Sequence, residues 1–343
     1  MRLLTLLVAL GALCAPSAYA QNLSINYDRL SSLEEPLAQD VGNVTLTATG
    51  LLDAAFNNNL SSGVEDRSDV AFVGNVEVAA STQLPNRWNV QLRYFAQYQS
   101  DMTNVLVAGN MPTTDDYIDN VAGIISGAWG SFIGGNTTNL VREDTRRLRG
   151  VGNGTLAFDN NLGQMGNWGG GYVGQFGPAR LSFVVDVEGD FDVGASWSRP
   201  LGTRDWRFTL RYSSGDFAPA DGSQSLSSDG VVGVAEFIYG SGLYDFGVGY
   251  ESLGNDAIDV ERWYMSAGAR YKYGAWTASI EGHYGEAAGD SEVSAALGVQ
   301  FDVARGLSLN LGINHADAQI DEQGVILISQ DLTQALLSAR YSF

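Results

Sequence analysis

Few residues in this chain have the types and spacing that chemistry requires. His283 and His315 are its two histidines, and neither falls in an H-E-x-x-H or other metal-ligand pattern. Cys14 is the one cysteine, so no thiol pair exists for a disulfide or a Cys-based metal site. "GVGNG" at Gly150–Gly154 is rich in glycine but lacks the strand–helix setting of a nucleotide fingerprint, and it reads as loop. The acidic stretches "DNNLG", "PADGS" and "ADAQIDEQG" contain no complete calcium-loop pattern, although acids of this kind suit divalent cations held with lipopolysaccharide. A Ser–His hydrolase is the enzyme alternative that remains. The expectation is a protein with no catalytic residue, no cofactor and no metal.

The densest charge lies in "TNLVREDTRRLRGVGNGTLAFDNNLGQMGN", which carries Arg142, Glu143, Asp144, Arg146, Arg147, Arg149 and Asp159. Arginines outnumber acids in this stretch. A second basic set is spread along the chain: Arg93, Arg207, Arg211, Arg262, Arg270, Lys272 and Arg340. Fixed charges of both signs act strongly on ions when they line a narrow, poorly screened channel. On an open surface the same residues would only form local ion pairs. Which case applies depends on the elements that carry them.

Those elements alternate with period two. "RWNVQLRYFAQYQS" opposes Trp88, Val90, Leu92, Tyr94, Ala96 and Tyr98 to a polar face that includes Arg93, and only Phe95 breaks that face. "WRFTLRYSS", "RWYMSAGARYKY", "EVSAALGVQFDV", "LSLNLGIN" and "QALLSARYSF" repeat the scheme, and each wall arginine falls on the polar side. Short breaks such as "LPNR", "GAWG", "FGPA" and "KYGAW" alternate with generally longer polar ones, among them "NNNLSSGVEDR", "SGDFAPADGSQSLSSDG" and "HADAQIDEQG". The pattern predicts about sixteen strands, starting near residues 43, 68, 87, 119, 130, 168, 179, 190, 205, 230, 243, 260, 275, 291, 306 and 332. One long connection with little alternation spans residues 138–168, after the fifth strand.

Composition agrees with an all-β chain. Glycine is abundant at 42 residues and proline scarce at 7, as expected for many strands joined by turns. With 19 Lys+Arg against 39 Asp+Glu the net charge is −20, and no basic tract offers a nucleic-acid surface. Residues 1–20 read as a signal peptide: Arg2, the apolar "LLTLLVALGALCA", then "AYA" before Gln21. Residues 21–42 carry no assigned structure, and residues 43–343 hold the strands.

Alternation alone fits both a soluble exported β-sandwich and a membrane barrel. Strand length separates them, because a membrane strand needs about 9–11 tilted residues. Several segments here reach that length, with Arg, Glu, Asp and Gln on the polar face. Aromatics gather at strand ends (Trp88 and Tyr98, Trp276, Tyr341 and Phe343), where an apolar ring with a polar tip suits a bilayer interface. The fold expected is therefore all-β: a transmembrane antiparallel β-barrel of about sixteen strands.

This layout resembles the Gram-negative general porins, in particular the alphaproteobacterial branch: a signal peptide, about sixteen strands, the longest connection after the fifth strand, and a terminal aromatic strand. The resemblance implies that 138–168 folds inward as a constriction loop whose charges face the basic wall residues named above. It implies that Tyr341 and Phe343 form the signal read by the barrel-assembly machinery. It further implies a homotrimer in the outer membrane, in contact with lipid and lipopolysaccharide, that passes ions and small hydrophilic solutes passively. The alternatives are a substrate-selective channel and a non-conducting barrel with an adhesive or structural role.

Overall fold

In the computed structural model, the structure describes residues 37–61, 68–99, 116–136, 140–147, 150–166, 168–201, 204–219, 222, 224–255 and 257–343. The expected signal peptide and residues 21–36 lie outside them. The strands are β1 (Leu37–Val41), β2 (Val44–Asn59), β3 (Ser68–Gln83), β4 (Asn89–Gln99), β5 (Asp116–Gly127), β6 (Gly130–Asn136), β7 (Trp168–Phe176), β8 (Ala179–Asp186) and β9 (Phe191–Leu201). They continue as β10 (Arg204–Phe217), β11 (Leu226–Tyr239), β12 (Gly242–Gly254), β13 (Asp259–Tyr273), β14 (Trp276–Ala287), β15 (Asp290–Ala304), β16 (Leu307–Glu322) and β17 (Val325–Ser342). A six-residue helix, α1 (Leu140–Thr145), lies between β6 and β7.

Each strand pairs antiparallel with its sequence neighbour, and β17 returns to β2 in a register running from Gln334↔Asn59 to Ser342↔Leu51. The sheet is thus a closed barrel of sixteen strands, which leaves no unpaired edge. β1 is the extra strand; it pairs only with the start of β2, as Leu37↔Ala48 to Val41↔Val44. β1 falls within residues 21–42, for which the sequence pattern offered no structure.

The side-chain period places apolar residues outside. On β10, Phe208, Leu210 and Tyr212 are exposed while the alternate Thr209, Arg211 and Ser213 are buried. On β12 the exposed set is Tyr244, Phe246, Val248 and Tyr250. Apolar residues exposed on strand after strand form a surface that water would leave unsatisfied and hydrocarbon would cover. Aromatic residues bound this band. At the short-turn end stand Trp88, Trp206, Tyr239, Tyr271, Trp276 and Tyr341; at the other stand Tyr212, Tyr250, Trp263 and Tyr284. Tyr212 and Tyr284 donate there to Asp229 (2.9 Å) and Glu286 (2.6 Å). From Trp276 to Tyr284, at ~3.3 Å per residue and ~40° tilt, the band is about 20 Å tall.

Beyond the second girdle the pattern inverts. β16 presents Leu307, Leu309, Leu311 and Ile313 outward at first, but further on it presents Asp317, Gln319 and Asp321. Its inner residues change in step, from Ser308, Asn310 and Asn314 to Ala316, Ala318 and Ile320. Those join Phe217, Leu226, Leu253, Val260, Leu327 and Ile328 in one buried apolar cluster at that end. The barrel is built there like a soluble protein, with oil inside and polar groups outside.

This inversion explains the largest departures from the sequence reading. The last strand begins at Val325 rather than near 332, and "HADAQIDEQG" is mostly strand closed by a two-residue turn at Gln323 and Gly324. β11 likewise begins at Leu226 instead of 230. The other expected starts lie within three residues of those observed.

Candidate functional site: the internal loop and the uncovered wall

The stretch after β6 folds into the barrel. Val141, on α1, is fully buried, packed with Leu140, Met165 and Val184. A Cβ on Gly194 of β9 would come within 2.7 Å of Val141, so the wall must carry glycine for the helix to seat. Thr145 donates to the Val141 carbonyl at 2.7 Å, and Arg146 continues the turn to Arg142 at 2.9 Å.

From there the loop crosses the lumen along the wall and returns. Outbound, the Gly150 amide donates to Glu281 (2.8 Å), the Val151 amide to Ser279 (2.9 Å), and Asn153 to Ser338 on β17 (3.1 Å). On the return, Thr155 donates to Asn314 (2.9 Å), Ala157 to Ser294 (3.0 Å), Leu162 and Gly163 to Glu251 (2.9 and 3.1 Å), and Gly166 to Asp186 (2.6 Å). Buried amides must find acceptors, and here the inner faces of the strands supply them. Gly298 and Gly312 let the loop backbone lie flat: a Cβ on either would collide with Val151 or Asn153.

Two arginines lock this layer. Arg147 spans to Asp245 on β12, to Glu281 at 3.1 Å and to Asp159 at 3.5 Å, with its side chain 2 % exposed. Gly247 and Gly268 make room beneath it; a Cβ there would lie 2.8 and 2.6 Å from its guanidinium arm. Arg262, from β13, is fully buried. It pairs with Glu251 (2.9 Å) and Glu292 (2.7 Å) and donates to the loop carbonyls of Asn160 and Phe158, both at 2.9 Å. A guanidinium presents five donors in a fixed fork, which is why one residue serves two carboxylates and two carbonyls.

His283 lies in the same network, with Nδ1 at 2.8 Å from Ser266 Oγ and Nε2 at 2.8 Å from Glu292. The chain Ser266–His283–Glu292 has the residue order of a hydrolytic triad, but the two ring nitrogens are exchanged, with Nδ1 toward the serine and Nε2 toward the carboxylate. Ser266 is also 2 % exposed, and Glu292 is already bound to Arg262.

The sequence-singled residues thus fall into distinct places. Arg142 is buried beside Asp192 at 3.4 Å and donates to the Gly163 carbonyl. Asp144 accepts from Arg180 at 2.6 Å, and the Asp144 and Arg146 carbonyls accept from Arg207, which also pairs with Glu236 at 3.3 Å. Arg211 is buried and donates to Asn160. Arg340 joins β17 to Asp53 of β2 at 2.6 Å and reaches Asn153. Arg270 is on the inner face of β13, and Lys272 lies near the short turns, 3.9 Å from Asp302. Glu143 is part of α1; Arg149 lies outside the described residues. Tyr341 and Phe343 close the barrel, with Phe343 and Gly50 exchanging backbone bonds of 2.9 and 3.0 Å.

Sequence reasoning missed the acids opposite Arg147 and Arg262: Asp245, Glu251, Glu281 and Glu292. Their signal was present. In "YDFGVGYESL", Asp245 and Glu251 alternate with the outward Tyr244, Phe246, Val248 and Tyr250, which marks both as inward.

The loop bonds named above all reach the wall from β8 to β17. Across β3–β6 the inner face meets a cavity of about 540 Å³, with Glu77, Arg93 and Asn120 on the wall and Leu140 and Asp144 on the opposite, loop side. Arg93 and Glu77 pair at 3.3 Å, with side chains 42 % and 33 % exposed. Arg93 is thus the predicted wall arginine that lines this open space.

No protein-family model matches the chain, and no curated protein matches it in sequence. Solved structures do resemble it in fold. OmpT, an outer membrane protein of Vibrio cholerae in a trimer form, superposes with a TM-score of 0.65 at 11 % identity, over 88 % of this chain and 99 % of that one. An anion-selective porin from Comamonas acidovorans gives 0.63 at 12 % identity, over 88 % and 100 %. A variant of the Rhodobacter blastica porin gives 0.55 at 12 %, over 87 % and 100 %.

Proposed function

We propose that this protein is a porin: a passive, water-filled channel across the outer membrane of a Gram-negative bacterium, admitting ions and small hydrophilic solutes. The observation that carries this reading is the one-sided seating of the internal loop. A plugged barrel would have its inner loop bonded all round. Here the loop is bonded to β8–β17 and leaves the β3–β6 wall facing a cavity lined by hydrated charges of both signs.

The apolar outer band and its girdles support a bilayer location, and the outer membrane protein and the porins among the fold neighbours agree. The trimer form of the Vibrio protein supports a homotrimer with one channel per protomer. Lipopolysaccharide and lipid would cover the band, and Tyr341 and Phe343 would serve the assembly machinery. No bond is made or broken in this reading: Ser266–His283–Glu292 acts as a buried structural relay, because a substrate carbonyl has no room at a serine 2 % exposed.

Reconstitution of the purified protein into planar bilayers tests the proposal. Conductance steps in groups of three, with a reversal potential under a salt gradient, are expected. A folded, inserted barrel that gives no steps would overturn it.

A further inference from the structure

Phe95 is the one inner residue of β4 that breaks the polar face, and the structure gives it company. The register aligns Glu77, Phe95 and Asn120 in one row across β3, β4 and β5, Arg93 with Ala122 in the next, and Gln91 with Ile124 and Ile133 in the third. Phe95, Ala122, Ile124 and Ile133 therefore form an apolar strip on the inner wall, and Leu140 of α1 lines the same cavity from the loop side. Elsewhere in the band the inner face carries mostly Ser, Asn, Thr, Gly and charged residues, and its other apolar group, Val232, Val234 and Tyr264, is buried, whereas this strip lines the cavity.

Charges flank it. Glu77 and Arg93 offer a carboxylate and a guanidinium 3.3 Å apart, both substantially open to water. Asp144 and Arg180 offer a second such pair, at 2.6 Å. Two partly hydrated ion pairs of this kind contribute little to folding and are free to exchange one partner for a solute group. An inorganic ion gains nothing from the apolar strip. A sugar would bring hydroxyls that Ala122, Ile124, Ile133 and Leu140 cannot satisfy. A solute with a carboxylate, an ammonium and an apolar body matches both features at once.

From this juxtaposition we infer that the cavity is a transit site for zwitterionic α-amino acids with large apolar side chains. The carboxylate faces Arg93, the ammonium faces Glu77 or Asp144, and the side chain lies on Phe95 and Ile124. At about 540 Å³ the space is within the usual range for a small-molecule site. The inference rests on the channel reading above.

The test is single-channel current in potassium chloride with L-phenylalanine, L-leucine or glycine added as probe. L-Phenylalanine and L-leucine are expected to lower the current saturably, and glycine to leave it unchanged at equal concentration. In Phe95→Ser, removal of one large apolar contact should weaken the L-phenylalanine effect about fivefold or more, with each variant's own current in salt alone taken as its reference. Ile124→Ser serves as a second variant, and retained heat-dependent gel mobility shows that each variant folds. Equal effects of glycine and L-phenylalanine, or no change in both variants, would overturn this inference while leaving a conducting channel. Absence of steps in salt alone would overturn the channel reading and this one with it.

Discussion

The two halves of the inner wall use charge in different ways. Under the loop, Arg147 and Arg262 are 2 % and 0 % exposed and satisfy carboxylates from three strands; across the lumen, Arg93 is 42 % exposed and holds Glu77. Buried charges that share a low-dielectric network are costly to unpair. Hydrated pairs are nearly neutral for stability and remain available to passing ions. The covered wall therefore fixes the loop, and in the proposed channel the uncovered wall would meet the solute.

Breaking the covered side should have the largest effect. Arg262→Met leaves Glu251 and Glu292 uncompensated and strips two loop carbonyls of their donor, so a loss of roughly 3–5 kcal/mol is expected. Denaturant unfolding in detergent, followed by circular dichroism, reads it. Arg93→Met, made for comparison, should stay within about 1 kcal/mol. Equal losses from the two would erase the contrast.

A gentler break acts on shape. Gly298→Leu places a side chain where the Val151 carbonyl lies, which should cost about 1–3 kcal/mol as overpacking and lift the loop from the wall. Protease sensitivity of the loop should rise, and single-channel conductance should change. The same substitution at Gly282, where a Cβ would meet open space, should do neither.

On the uncovered side the effect is electrical. Arg93→Gln removes a positive charge from the cavity and leaves Glu77 unpaired. Reversal potential under a salt gradient should move toward cation preference with little loss of stability. A matching move in Lys272→Gln, a residue near the short turns, would show that net charge alone sets selectivity.

The smallest effect concerns the β8–β9 turn, outside the apolar band. Desolvation, together with the neighbouring Asp186, Asp216 and Glu188 carboxylates, holds the Asp190 carboxyl above its ordinary range. The folded state therefore binds this proton more tightly than the unfolded state. Asp190 then subtracts stability as pH rises through the carboxylate range. Asp190→Asn should raise the melting temperature slightly at pH 7 and leave it unchanged at pH 3. A gain of equal size at both values would contradict this.

Much of the barrel was legible in sequence because its band obeys one rule, apolar out and polar in, over residues such as Trp206–Tyr212 and Trp263–Tyr273. Where the surroundings change, the rule changes. Past His315 the outer face becomes Asp317, Gln319 and Asp321, so a reader expecting one sign of alternation sees a polar loop. The long connection could be placed by length and charge, but its partners could not. Arg147 meets Asp245 and Glu281 across residues far away in sequence, and only closure of the barrel brings them together. Phe95 was visible as an exception from the start, and its meaning required Ile124, Ile133 and Leu140 beside it.

The central claim is that solutes pass between the loop and the β3–β6 wall. The one cysteine, Cys14, falls in the expected signal peptide, so a cysteine introduced into the barrel would be unique after cleavage. Asn120→Cys lines the cavity, whereas Ser294→Cys lies under the loop, where Ser294 is 1 % exposed and accepts from Ala157. A charged methanethiosulfonate reagent added during single-channel recording is predicted to cut the current of Asn120→Cys and leave Ser294→Cys unchanged. Block at Ser294→Cys with none at Asn120→Cys would place the passage on the other side and contradict the account.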